Sequence, residues 1–442
     1  MSDLEAQRYE RMPTSGTASL TNFHYSSTDL PYPVTLAQAQ LRFDPRAIEL
    51  NNVNGTIGRS DFSVNGSVSN YMGYLFGKNE LVKGSMNYQA SLLDLNEFME
   101  DSGEETTTEE SYGVIPVPKN IDFVLKSSIK TVKMMDFSMT NAAGEIIVRD
   151  GVANLRGLSF NLLGGAFTVN GAYDPRDLSH PKYDFGLKID NLAIAQAAAG
   201  FTIVKTFAPM AGMMAGNFST DFKLNGELLP DLMPNLKTLN GEGLVRIAQA
   251  SLKESQLISG ITSVTRLDDT NEVTLRDVMM SAHIKDGRLN VKPFNVRFGP
   301  YTTAVSGSTG IDGSINYNLK MDVPAGKLGT QYNSFVSQYT GGKTDPNAMI
   351  PLNIDLRGTF LSPQPVLNMT EQRQQVQEAV TTAAKQEAEK QATQIVQGLL
   401  GGNKTDTTKK DSTATTPADP KQKAVEEGVK TIQNLLKKKK NN

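Results

Sequence analysis

The chain has 442 residues, with 44 Lys and Arg against 47 Asp and Glu, and neither cysteine nor tryptophan. A net charge of −3 gives no basic footprint for nucleic acid, and the lack of cysteine excludes disulfides and thiolate metal sites while leaving the compartment open. Three scattered histidines, His24, His180 and His283, suggest no metal cluster and no cofactor is expected; the length suits about three ordinary domains or one long repetitive one.

Residues 1–30 are polar, mixed in charge and weakly patterned, with no visible signal segment or spanning helix. Strand signals begin at Val34, Leu41 and Phe43 alternate, and Asn54-Gly55 reads as a turn. Next comes Asp61-Phe62-Ser63-Val64-Asn65-Gly66-Ser67-Val68, in which Phe62, Val64 and Val68 share one face of a strand. Gly66 weakens such a strand unless a bend, a bulge or a close backbone approach requires it. A loop around Tyr71–Asn79 precedes a strand carrying Val82, Met86 and Tyr88.

The same phrase returns at Phe167, Val169 and Tyr173 around Asn170-Gly171, and at Phe222, Leu224 and Leu228 around Asn225-Gly226. The three phenylalanines are 105 and 55 positions apart, which predicts a unit of about 50 residues whose middle copy has lost its signature.

Between the first and second signatures, Glu97 to Ser111 is acidic with no basic residue, and it reads as a solvated loop. Beyond Pro118 strand patterns dominate: Ile121, Phe123 and Leu125, then Glu145–Val148, Leu158–Phe160, and Tyr183 to Ile189. The apolar stretch Ala197–Gly216 is broken by Lys205 and Pro209, so it predicts a helix or loop packed on the sheet rather than a span. Asn240-Gly241, Asp286-Gly287 and Asp312-Gly313 read as hairpin turns. Ile315, Tyr317, Leu319, Met321 and Val323 give the cleanest alternation, and a last strand around Gly358 ends at Pro363 and Pro365. From Glu371 to Leu400 an apolar stripe at helical spacing predicts an amphipathic helix stopped by Gly401-Gly402. A polar linker and a short basic helix ending in Lys437, Lys438, Lys439 and Lys440 close the chain.

One-faced strands leave an apolar surface that must be covered by a second sheet, by closure into a barrel or solenoid, or by a bound apolar ligand. No nucleophile elbow, zinc-binding histidine pair, P-loop or dinucleotide fingerprint appears, which argues against an enzyme.

Gly216-Asn217-Phe218 through Gly226, then Leu239-Asn240-Gly241-Glu242-Gly243-Leu244-Val245-Arg246-Ile247, resemble the C-terminal region of the AsmA family. Gly307 to Asp312, and Ile350 to Phe360 followed by Pro363, are similar to that family's closing segments. The resemblance covers roughly Asn191 to Met369 and departs from the family at Gln249-Ala250-Ser251, where a glycine-bearing turn is usual, and in showing no N-terminal anchor.

The resemblance implies a mainly β fold, an elongated, repetitive antiparallel sheet curled into a groove. It further implies a periplasmic, cell-envelope setting in a Gram-negative cell, with phospholipid or another acyl-chain lipid held or conducted between membranes. The expected lining is Phe62, Val64, Val68, Phe167, Val169, Tyr173, Phe222, Leu224, Leu228, Ile315, Tyr317, Leu319 and Met321. Lys437–Lys440 are expected to meet a membrane surface, and envelope proteins are further expected partners. The alternative is a structural or adhesive β-sandwich without a lipid ligand. The expected segments are 1–96 and 119–368 as groove, 97–118 as acidic loop, 369–402 as helix, 403–420 as linker and 421–442 as basic helix.

Overall fold

Alternating apolar and polar residues give nearly every strand one dry face, and in a computed structural model these strands form a single eighteen-stranded sheet. The structure describes residues 15–26, 32–76, 80–98, 114–230, 232–253, 255–267, 269–327, 347, 349–368, 370, 385, 389, 390 and 392–394. The sheet lies within a unit of residues 1–376; residues 377–442 form a second unit, of which only a few helical residues are described. The predicted linker, the basic helix and Lys437–Lys440 lie outside the described residues.

The first ten strands are β1 (Gly16–Tyr25), β2 (Val34–Phe43), β3 (Ala47–Ile57), β4 (Ser60–Ser69), β5 (Val82–Asp94), β6 (Ile121–Met134), β7 (Phe137–Arg149), β8 (Val152–Leu162), β9 (Gly165–Asp174) and β10 (Lys182–Ala193). The other eight are β11 (Ala215–Glu227), β12 (Asn240–Lys253), β13 (Glu272–Lys285), β14 (Arg288–Phe298), β15 (Tyr301–Gly310), β16 (Ile315–Pro324), β17 (Met349–Gly358) and β18 (Pro363–Asn368). Among the described residues, four short α-helices interrupt them: α1 (Tyr71–Phe76), α2 (Ile194–Gly200), α3 (Thr202–Phe207) and α4 (Gln256–Thr265).

Each strand pairs with its successor, antiparallel everywhere except β5 with β6, which run parallel. The chain returns between those two through the segment that contains the acidic run. The turns therefore fall on two long rims. The first rim carries the turns after β2, β4, β7, β9, β11, β13, β15 and β17; the second carries the others. The signature strands β4, β9 and β11 all run toward the first rim, because the parallel step compensates for the odd number of pairing steps from β4 to β9.

The sheet curls. Helix α4 follows β12, yet a Cβ on its Gly260 would lie 3.5 Å from Pro365 of β18. Five interstrand spacings separate β13 from β18, a distance of about 24 Å in a flat sheet. Ile258 and Ile261 of α4 share one apolar cluster with Leu252, Phe298, Leu319, Met321, Leu352 and Ile354, so the curled sheet wraps the helix.

The curl has a repeated local cause. Eight of the seventeen strand pairings contain a register shift, and each such bulge bends its strand and raises local twist. At two of them the signature asparagine holds the extra residue. Asn52, left-handed at φ 50°, donates its N–H to Asn65 Oδ1 at 2.8 Å; Gly157, at φ 57°, donates to Asn170 Oδ1 at 2.7 Å. In the third copy the bulge has moved to Asn191, at φ 56°, which donates to Ser219 Oγ at 3.0 Å. The repeating element is thus a bulged strand pair rather than a block of about 50 residues.

Several sequence expectations change here. Asn54-Gly55 and Asn240-Gly241 are not turns but strand positions, in β3 and β12. Their glycines make room for neighbours: a Cβ on Gly55 would lie 2.9 Å from the Phe62 ring, and one on Gly241 would lie 2.6 Å from Leu224. Gly66 does mark a close approach, since a Cβ there would meet Ser85 O at 2.2 Å. Weakly patterned residues 16–25 form β1, the loop after β4 contains α1, and Pro363 and Pro365 lie in edge strand β18, where a missing N–H is tolerated.

If the asparagines cap bulges, Asn65→Ala and Asn170→Ala should each cost about 1 kcal/mol. The sites are five strands apart, about 24 Å, so the double variant should lose the sum. Denaturant midpoints of the four proteins check this; a double variant no worse than either single one would contradict it.

Candidate functional site

The dry face forms a continuous track. Register partners on successive strands link Leu50, Gly66, Met86, Leu125, Ile146, Leu155, Gly171, Phe185 and Leu224 in one row from β3 to β11. Gly66 and Gly171 share this row, so Phe62 and Phe167 stand at the same height on strands of the same direction. A second row, toward the first rim, joins Val68, Gly84, Phe123, Val148, Ala153, Tyr173 and Tyr183. Row by row, large side chains lie beside glycines: the Phe123 ring would come within 2.8 Å of a Cβ on Gly84.

Three sections differ in what covers this face. Along β3 to β9, Phe62 near the second rim and Leu50, Val64, Val68, Met86, Phe123, Leu125, Val169 and Tyr173 from mid-strand toward the first rim are all partly solvent-exposed. In the middle, α2, α3 and the short 3-10 turn Pro209–Met213 cross the face from the second rim. The Ala197 end packs with Leu162, Phe167, Ile189 and Leu192, and Phe207 packs with Tyr183, Leu239 and Ile284 near the first rim. Phe201 seats this crossbar against two sheet rings, 6.0 Å from Phe137 and 6.0 Å from Phe167. Beyond it, α4 fills the curl of β12 to β18, where Leu352 and Ile354 are fully buried.

The sequence-derived lining is therefore divided. Phe62, Val64, Val68, Val169 and Tyr173 line the partly exposed section. Phe222, Leu224 and Leu228 pack around the crossbar's Phe207 cluster. Phe167 is buried beneath Phe201, and Ile315, Leu319 and Met321 form dry core with α4, so these four lie under protein rather than on an open lining. Tyr317 packs on Phe360, and its hydroxyl pairs with Thr309 Oγ1 at 2.9 Å. Leu50, Met86, Phe123, Leu125, Ile146 and Leu155 belong to the track but carry no signature; only period-two alternation marks them in the sequence.

The partly exposed section is pinned at the second rim by buried charge. Glu97 accepts from Arg59 N–H at 2.8 Å, Arg59 Nε at 3.0 Å and Ser60 Oγ at 3.2 Å, while Arg59 also reaches Asp94 at 3.2 Å. Asn96 then clamps Met135 in the next turn through hydrogen bonds of 2.6 and 3.3 Å. Glu97, expected in a solvated acidic loop, is buried here; residues 99–113 of that run lie outside the described residues. Burial opposes its charge, but the hydrogen bonds from Arg59 and Ser60 and the Arg59 charge outweigh it and hold the carboxyl below its ordinary 4.5. At the opposite rim, the Tyr183 hydroxyl is buried with no hydrogen-bond partner among the described residues, and burial pushes it up to about 12.

No helix among the described residues is long and apolar enough to cross a membrane, and no group of His, Cys, Asp and Glu there is placed to hold a metal ion. No family model matches the chain, and neither does any curated protein or solved structure.

Glu97 contributes stability that is complete above its ordinary value of 4.5 and is lost as pH falls through its depressed pKa. Glu97→Gln should cost about 1–3 kcal/mol at neutral pH and flatten the acid side of the stability profile. Tyr183 acts on the alkaline side: its buried neutral form favours folding below pH 10, and this is lost as pH rises toward about 12. Tyr183→Phe, which removes an unpaired hydroxyl, should leave neutral stability unchanged or higher and extend the folded range upward. Thermal melts across pH read both; a destabilised Tyr183→Phe protein would reveal a hidden partner for the hydroxyl.

Proposed function

We propose that the protein is an AsmA-like cell-envelope component that holds or conducts phospholipid along its apolar groove, in support of outer-membrane biogenesis. The observation that carries this reading is the in-register track of partly exposed apolar side chains from β3 to β9, toward the first rim. An acyl chain supplies a cover of the right chemistry: apolar, linear and nearly free of hydrogen-bonding demands. The headgroup stays in water beyond the rim, so the groove need not discriminate among headgroups. The proposed setting is the periplasm, with the groove reaching between inner and outer membranes.

The alternative is a structural or adhesive protein without a lipid ligand. The section wrapped around α4 favours it locally, because there the dry face is covered by the protein's own residues. The two readings divide on whether the β3–β9 section is filled.

Native mass spectrometry with solvent extraction, on protein purified without detergent, tests this. Phospholipid should accompany the chain. Val64→Asp with Val169→Asp should abolish it while leaving a folded sheet, whereas Thr168→Asp on the opposite face should retain it. A stable, folded protein with a clean apo mass would transfer the conclusion to the structural reading.

A further inference from the structure

Where the second row of the track reaches the first rim, β4 and β5 are joined through α1, whose sequence Tyr71-Met72-Gly73-Tyr74-Leu75-Phe76 contains no charged residue. The helix is fixed through its first residues. Tyr71 donates its hydroxyl to Asp44 O at 2.8 Å, Asn70 Nδ2 donates to Leu81 O at 2.8 Å, and Met72 is buried. Its last three residues are large, apolar and exposed, Tyr74 at 42%, Leu75 at 64% and Phe76 at 56%, and Leu81 at the start of the next strand is 37% exposed.

A run of exposed apolar residues has a cost in water that a soluble loop normally avoids. A six-residue helix is also too short to persist alone, so the protein itself holds this one in its presenting shape. The composition suits a lipid interface: leucine and phenylalanine enter the acyl boundary, and tyrosine keeps its hydroxyl at headgroup level. None of the helix's six residues is charged, which suits a lipid interface better than a protein epitope with its polar rim.

We propose that α1 is a membrane-contacting portal, which inserts Leu75 and Phe76 into the interfacial region of a bilayer and delivers acyl chains to the groove directly behind it. Val68 and Gly84, at the ends of the strands α1 connects, are the first groove positions such a chain meets. Delivery rests on the lipid-groove reading, whereas insertion does not.

The chain has no tryptophan, so Phe76→Trp gives a single fluorescent reporter. Phosphatidylcholine vesicles should shift its emission to the blue, and acyl-brominated lipid should quench it. Met349→Trp, exposed on the opposite rim, should do neither. Equal responses from both, or none from Phe76→Trp, overturn insertion. A blue shift that follows protein concentration without vesicles also overturns it and assigns the patch to a second copy.

Delivery is read separately. Leu75→Asp with Phe76→Ser should slow uptake of fluorescent phospholipid from vesicles about tenfold or more, while leaving uptake from cyclodextrin unchanged. Unchanged uptake from vesicles overturns the portal. Uptake by neither protein from either donor overturns the groove reading and delivery with it, and the tryptophan measurement still decides insertion.

Discussion

A sheet with one dry face cannot remain stable in water along its whole length unless something removes that face from solvent. Each square ångström of apolar surface left wet forgoes roughly 25 cal/mol, so the requirement grows with every strand added. This chain meets it in two ways within one sheet. Around β12 to β18 the sheet curls over α4 and makes a protein core of it. Around β10, helices α2 and α3 lie across the face and are locked there by Phe201 and Phe207. From β3 to β9 the described residues leave the face toward the first rim partly exposed, and the proposed function attaches to that section.

Curvature and lining come from the same short phrase. In Phe-x-Val-Asn-Gly the phenylalanine and valine face the groove. The asparagine secures a left-handed residue on the preceding strand, and the glycine permits the following strand to come close. A residue pattern that read as a lining motif is equally a device for bending the sheet. That explains why asparagine belongs in it, although its side chain faces away from the dry side.

The fold class was legible because period-two alternation survives in most strands, most clearly at Ile315 to Val323. The parts that were not legible each trace to a property that one-dimensional pattern does not carry. Gly55 and Gly241 follow asparagine, as turn glycines do, yet their place is set by rings and methyls on the adjacent strand. Gly16 to Tyr25 has little alternation, and its strand is defined by pairing with β2 along nearly its whole length. Glu97 belongs by composition to an acidic run, and only the fold brings Arg59 and Ser60 to it. The groove candidates were readable as one face of their strands, but exposure along that face depends on where α2, α3 and α4 settle. That placement separates Val64 from Leu319.

The single parallel pairing of β5 with β6 decides where the chain enters and leaves the sheet. Eighteen strictly antiparallel strands would bring the last strand out on the rim where the first one enters. One parallel step reverses this, so Gly16 begins on the first rim and Asn368 ends on the second, at opposite ends of the sheet. Entry and exit are thus diagonal corners of the sheet: the chain enters on the rim that carries α1 and leaves on the rim that carries Glu97.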